Sequence, residues 1–133
     1  MGRWRAVDHT ADFALHVWGD DLPDLFATAA QGMAALTVAE TAGTSVMLDV
    51  TLDALDVEGL LVDWLNELLY LSERHEVCWT AFVFAELSPV ALQATLTGVP
   101  IAERGSYIKA ATYHNLAVHA TPEGFETEIV FDT

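Results

Sequence analysis

Between residues 56 and 75 the apolar positions Val57, Leu60, Leu61, Trp64, Leu65, Leu68 and Leu71 recur at helical spacing, giving one broad apolar face. Asp56 stands where an N-cap carboxylate would accept from the first free N–H groups. Arg74 and His75 stand at the other end, where positive charge suits the helix dipole. About twenty residues at roughly 1.5 Å each make a rod of about 30 Å, the width of a small domain. Asp63, Asn66 and Glu67 break the apolar run too early for a membrane-spanning helix of about 20 apolar residues, and read as a solvated stripe.

A second helix opens at Asp20-Asp21-Leu22-Pro23-Asp24, with an acidic cap, a proline in the first turn and an acid close behind. Its stripe is Leu22, Leu25, Phe26, Ala29, Ala30, Met33 and Leu36, and the region 37–44 ends it. The remaining pattern has period two. Residues 4–8 read as a short strand. In 13–19, Phe13, Leu15 and Val17 alternate with Ala14, His16 and Trp18. In 45–52, Val46, Leu48, Val50 and Leu52 alternate with Ser45, Met47, Asp49 and Thr51. Residues 77–87 and 90–97 form a hairpin about Ser88-Pro89, and 98–106 reads as a loop. Residues 109–120 read as a strand with Tyr113 as interior anchor, and Pro122-Glu123-Gly124 supplies a turn. A last strand alternates from Phe125 through Phe131, so Asp132 and Thr133 are expected to be docked. Two main helices and about seven strands predict one α+β domain over residues 1–133. The expected domain has two layers, with the helices covering a largely antiparallel or mixed sheet.

Composition narrows the setting. At 133 residues and 53% hydrophobic, the chain can bury about two-thirds of its extended surface. Cys78 is the only cysteine, which excludes an internal disulfide and fits a reducing compartment. Flanked by Val77 and Trp79, it reads as a buried apolar thiol. The segment MGRWRAVDHT lacks the apolar core of a signal peptide, so a cytoplasmic protein with no membrane association is expected. Charge is the unusual property. Twenty acidic residues face five basic ones, for a net charge of −15, and Lys109 is the only lysine. Such a surface repels phosphate and argues against direct, unaided nucleic-acid binding. It suits a basic partner or bound cations, or serves solubility alone.

Three places could carry chemistry. Asp8-His9-Thr10-Ala11-Asp12 packs two carboxylates, an imidazole and a hydroxyl between two strands. It is incomplete as a metal motif, since hard cations take about six oxygens, and an Asx-turn explains it equally well. In Lys109-Ala110-Ala111-Thr112-Tyr113-His114, strand alternation puts Lys109 and His114 on opposite faces, against a catalytic dyad. Asp132-Thr133 offers further oxygen donors, which with Asp12 would favour calcium, magnesium or manganese over zinc. No nucleophile elbow, P-loop or dinucleotide fingerprint stands in the sequence, and no organic cofactor is expected. Nothing marks a self-sufficient enzyme. The alternative reading is a metal-dependent phosphoester hydrolase using Asp8, His9 and Asp12.

Four stretches in order, VDHTADFALHVWGDDLPDLFATAAQGM, DVEGLLVDWLNELLYL, IKAATYHNL and the closing VFDT, resemble the archease family, essentially over the whole chain. The resemblance implies a small cytosolic, non-enzymatic protein that assists an RtcB-type RNA ligase. That ligase joins RNA ends in tRNA splicing and RNA repair with GTP and manganese. The family member promotes its guanylylation and multiple turnover; a chaperone-like role toward protein–RNA partners belongs to the same class. The resemblance puts a divalent-cation site on Asp12, Asp132 and Thr133, the family lysine on Lys109 and the family histidine on His114, with Asp8 and His9 in the first motif. The chain departs from the family at Gly98-Val99, where Gly-Glu is usual, and the loop that follows lacks a histidine. Thr133 replaces a terminal isoleucine or valine, which keeps a backbone oxygen and removes an apolar plug.

Overall fold

Each helix begins where a carboxylate satisfies a free backbone donor. Asp21 accepts from the Asp24 N–H at 2.8 Å and starts α1 (Leu22–Thr37). Asp56 accepts from the Gly59 N–H at 2.7 Å and starts α2 (Val57–His75). At the far end of α2, Glu76 takes a left-handed φ of 55° and its N–H reaches back to the Ser72 carbonyl. The computed structural model describes residues 1–8 and 13–133.

The described strands are β1 (Arg3–Asp8), β2 (Phe13–Gly19), β3 (Val38–Thr41), β4 (Val46–Asp53), β5 (Val77–Leu87), β6 (Ala91–Arg104), β7 (Ala110–Ala111), β8 (His119–Thr121) and β9 (Gly124–Asp132). The expected α+β architecture is present, but the strands divide between two sheets, and every strand pairing among the described residues runs antiparallel. In one sheet the order is β1-β2-β9-β7, with β8 also on β9. In the other, β6 is central, flanked by β5 and by β3 and β4. Gly124, at φ 146°, opens β9 where a Cβ would lie 2.2 Å from the Gly19 carbonyl oxygen, so only glycine fits this turn.

The two helices and the inner faces of both sheets share one core. Trp64 of α2 is fully buried, with its ring 5.6 Å from Phe82 and 5.4 Å from Phe84 of β5. Its indole N–H donates to the Phe26 carbonyl of α1 at 3.0 Å. Trp79 of β5 donates in turn to the Leu68 carbonyl of α2 at 3.2 Å. Leu15, Ile129 and Phe131 close the core from the β2 and β9 side. No helix among the described residues is long and apolar enough to cross a membrane.

Three expectations need correction. The segment 98–106 is not a loop, because β6 continues to Arg104. Gly98 is a mid-strand position over which the Trp79 ring lies, where a Cβ would sit 2.7 Å from the ring. The segment 109–120 is not one strand. Only its two ends pair with β9, and between them the chain turns, with the Leu116 N–H on the Tyr113 carbonyl at 3.0 Å and Asn115 at φ 53°. Tyr113 is therefore no interior anchor: it is 59% exposed, and Ile108 and Ala111 fill the inward positions. The region 37–44 does end α1, as expected, and goes on to form β3, a further strand on the far half of β6.

Trp64→Ala should cost on the order of 3–5 kcal/mol, by emptying an aromatic volume and removing the indole's hydrogen bond to the Phe26 carbonyl. A loss below about 1 kcal/mol in a denaturant titration would contradict this packing. Cys78 is buried as expected, and burial pushes its thiol pKa up. At pH 8 the folded protein should thus react with a thiol reagent roughly tenfold or more slowly than the unfolded chain. Equal rates would place the thiol in solvent.

Candidate functional site at the end of β9

β9 is anchored by alternate side chains, Thr127, Ile129 and Phe131, all buried, so its last turn of alternation is fixed from below. Asp132 and Thr133 follow and are exposed. On one side of β9 lies β2, in the register Phe13↔Phe131. On the other lies β7, in the register Ala111↔Phe131 and Ala110↔Asp132. The Lys109 backbone N–H donates to the Asp132 carbonyl at 2.8 Å, and the Thr112 N–H to the Val130 carbonyl at 3.0 Å. The only lysine thus stands beside Asp132 and Thr133 on the adjoining strand segment, three residues that the sequence holds in two separate motifs.

The other candidates are not gathered there. His114 lies on the turn beyond β7, where its backbone N–H donates to Thr112 Oγ1 at 3.3 Å and its Nε2 lies 3.4 Å from the Asn115 amide. His9 and Asp12 lie outside the described residues, as does the side chain of Asp8, whose backbone pairs with Phe13 at the end of β1. Asp132 and Thr133 offer only exposed oxygens, which fit a hard divalent cation in kind. Among the described residues no three His, Cys, Asp or Glu side chains gather as a metal site.

Lys109 also lines a groove of ≈ 630 Å³ between the second half of α2 and the segment 104–110. Arg104, Tyr107, Tyr70 and Glu73 line it too, and Arg74 donates to the Tyr70 hydroxyl at 3.2 Å. The Gly105 and Ser106 N–H groups bind the Thr37 and Leu36 carbonyls, tying this segment to the end of α1. Tyr113 faces the start of α2, where desolvation, then Asp63 and Asp56, raise its hydroxyl pKa. At the opposite end of β2, Arg3 lies 4.1 Å over the Trp18 ring, His16 stacks on the same ring at 4.2 Å, and His16 meets Glu126 at 3.3 Å.

Two residues of α2 have a role that hydrophobic patterning did not disclose. Asn66 belongs to no solvated stripe: its Nδ2 donates to the Ala111 carbonyl at 3.2 Å, and its Oδ1 accepts from the Ala111 N–H at 2.7 Å. Glu58, two turns earlier, accepts from the Val118 N–H at 2.9 Å. Their eight-residue spacing puts both on one helix face, the sole trace of this arrangement in the sequence.

Residues 4–133 match the model of the Archease protein family (MTH1598/TM1083). Protein archease of Archaeoglobus fulgidus is 33% identical over 137 residues, covering 98% of this chain and 98% of its own. Protein archease of Methanosarcina acetivorans is 30% identical over 140 residues, covering 98% of this chain and 95% of its own. The solution structure of Methanobacterium thermoautotrophicum protein 1598 superposes with a TM-score of 0.75 at 25% identity, over 98% of both chains. A Thermotoga maritima crystal structure, described as an archease and possible chaperone, superposes with a TM-score of 0.70 over 97% of this chain and 96% of that one. At 22% identity, that likeness speaks for the fold alone.

Proposed function

The chain belongs to the archease family, and from that premise we propose that it is a non-enzymatic protein cofactor of an RtcB-type RNA ligase. In this reading it promotes guanylylation and multiple turnover of the ligase in tRNA splicing or RNA repair, in the cytoplasm. The observation that carries the reading is the end of β9, where Lys109 stands beside Asp132 and Thr133 through the β7–β9 pairing. The only lysine next to exposed oxygens is a compact polar tip on a chain of net charge −15. An acidic body is electrostatically suited to a partner whose cleft is basic enough to hold RNA ends and nucleotide. Direct nucleic-acid binding by the protein alone is disfavoured by the same charge.

Asp12, Asp132 and Thr133 would hold a divalent cation at this tip, calcium, magnesium or manganese by donor type. When bound, the cation would neutralise the carboxylates and present a hard Lewis acid to the partner. Lys109 supplies a positive group beside them that can meet a phosphate or carboxylate of the partner or its nucleotide. Asp8, His9 and His114 belong to the family motifs and would contribute to the same function.

With catalytic amounts of the host's RtcB-type ligase and excess RNA bearing cyclic-phosphate and 5′-hydroxyl ends, the protein should raise guanylylated ligase and turnovers per ligase. Unchanged turnover and guanylylation would sink this reading. Lys109→Ala should weaken the stimulation while shifting stability by only about ±0.5 kcal/mol, as expected of an exposed side chain. Equal stimulation by a variant that melts like the parent would make Lys109 ordinary surface.

A second test concerns the cation. Calorimetric titration with manganese or calcium should show binding that weakens as pH falls, because protons compete for the carboxylates. Asp132→Asn and Asp12→Asn should each lower the affinity and the ligase stimulation together. Identical binding isotherms for parent and both variants would remove the site.

A further inference from the structure

We propose that Asn66 is a positioning residue: its amide locks β7 against β9 and thereby fixes Lys109 beside Asp132. The inference rests on reading that end as the working end, and addresses what keeps it in place.

A strand of two residues has little ladder of its own. On its β9 side, β7 and its neighbours are held by the Lys109 N–H on Asp132 and by the Thr112 N–H and hydroxyl on Val130, at 2.8, 3.0 and 2.9 Å. On its other side no further strand of the sheet follows among the described residues. There the Asn66 amide takes both backbone groups of Ala111, the N–H at 2.7 Å and the carbonyl at 3.2 Å. One planar amide reproduces the donor and acceptor that a neighbouring strand would present. Aspartate lacks the donor, serine is too short to span both groups, and glutamine places the amide one methylene further out. The chemistry of this position is therefore specific.

The clamp is also rigidly mounted. Asn66 follows Trp64 and Leu65, both fully buried, so the helix beneath it is fixed by the core. Ile108 and Ala111 are buried on the inner side of the same segment, while Lys109 is exposed. Two turns earlier on α2, Glu58 holds the Val118 N–H, so one helix face grips the segment at 111 and again at 118. Between these grips the chain turns through Asn115. Without Asn66, β7 would lose the bonds on its outer edge and keep those to β9, with the nearest other backbone ties at Gly105 and Ser106.

The test compares the full-length parent with Asn66→Ala and with Asn66→Asp, which keeps the shape and the acceptor but loses the donor. In Asn66→Ala that retains parental circular dichroism, hydrogen exchange at the Ala111 amide should accelerate by about tenfold or more, with α2 and β2 core amides unchanged, whereas Asn66→Asp, whose carboxylate still accepts from that amide, should accelerate it less. Unaltered exchange at Ala111 would overturn the proposal. Ligase stimulation should fall in Asn66→Ala, and adding Lys109→Ala to it should cost no more than Lys109→Ala alone, since the first acts through the second. Independent, multiplicative losses would mean that Asn66 only stabilises the fold, and would also overturn it. Should Lys109→Ala by itself leave stimulation unchanged, the reading of the working end fails, and the exchange rate at Ala111 alone decides the clamp.

Discussion

A buried indole has to fill its volume and also find an acceptor for its N–H, and Trp64 meets both demands at the point where three elements converge. Its ring lies against Phe82 and Phe84 of β5, and its N–H reaches the Phe26 carbonyl of α1. The rotation of α2 about its axis is thereby set. With that rotation set, the polar face of the same helix can only point at the segment that follows β6. Asn66 and Glu58 then meet backbone groups there instead of water. Core packing and tip geometry are thus two faces of one helix orientation.

The tip itself is a product of strand pairing. Asp132 and Lys109 are distant in the chain, and neither motif alone indicates that they adjoin. The pairing of β7 with β9 brings them together, and the pairing of β2 with β9 brings Phe13 to Phe131 on the other flank. A net charge of −15 makes one cation at such a place electrostatically conspicuous to any approaching anion. That contrast supports a role for Lys109 in recognition.

What was legible in the sequence was whatever repeats with a period. The α1 and α2 stripes, the Asp56 cap, the 77–87 strand and the inward alternation of Thr127, Ile129 and Phe131 all follow from spacing and are found as expected. The failures have one cause: the residue type was read without its neighbour. Gly98 looked like a loop start because the Trp79 ring that lies on it comes from another strand. Tyr113 looked like an anchor because its alternation was counted through a turn that Asn115 makes possible at φ 53°. Asn66 looked solvated because patterning scores an amide as polar and cannot see that a backbone amide awaits it. The end of β9 was half legible, since alternation showed it docked, and only pairing showed what it docks beside.

The pairing of β2 with β9 joins residues as far apart in the chain as Phe13 and Phe131. During synthesis on the ribosome, β2 therefore emerges long before its partner, whereas β5 and β6 can pair as soon as both have left the tunnel. The polar end at Lys109 and Asp132 is assembled by the β7–β9 pairing, which waits for the same last strand. Until β9 is in place, the Lys109 N–H lacks the Asp132 carbonyl that it binds in the folded protein, and β2 lacks its second neighbour.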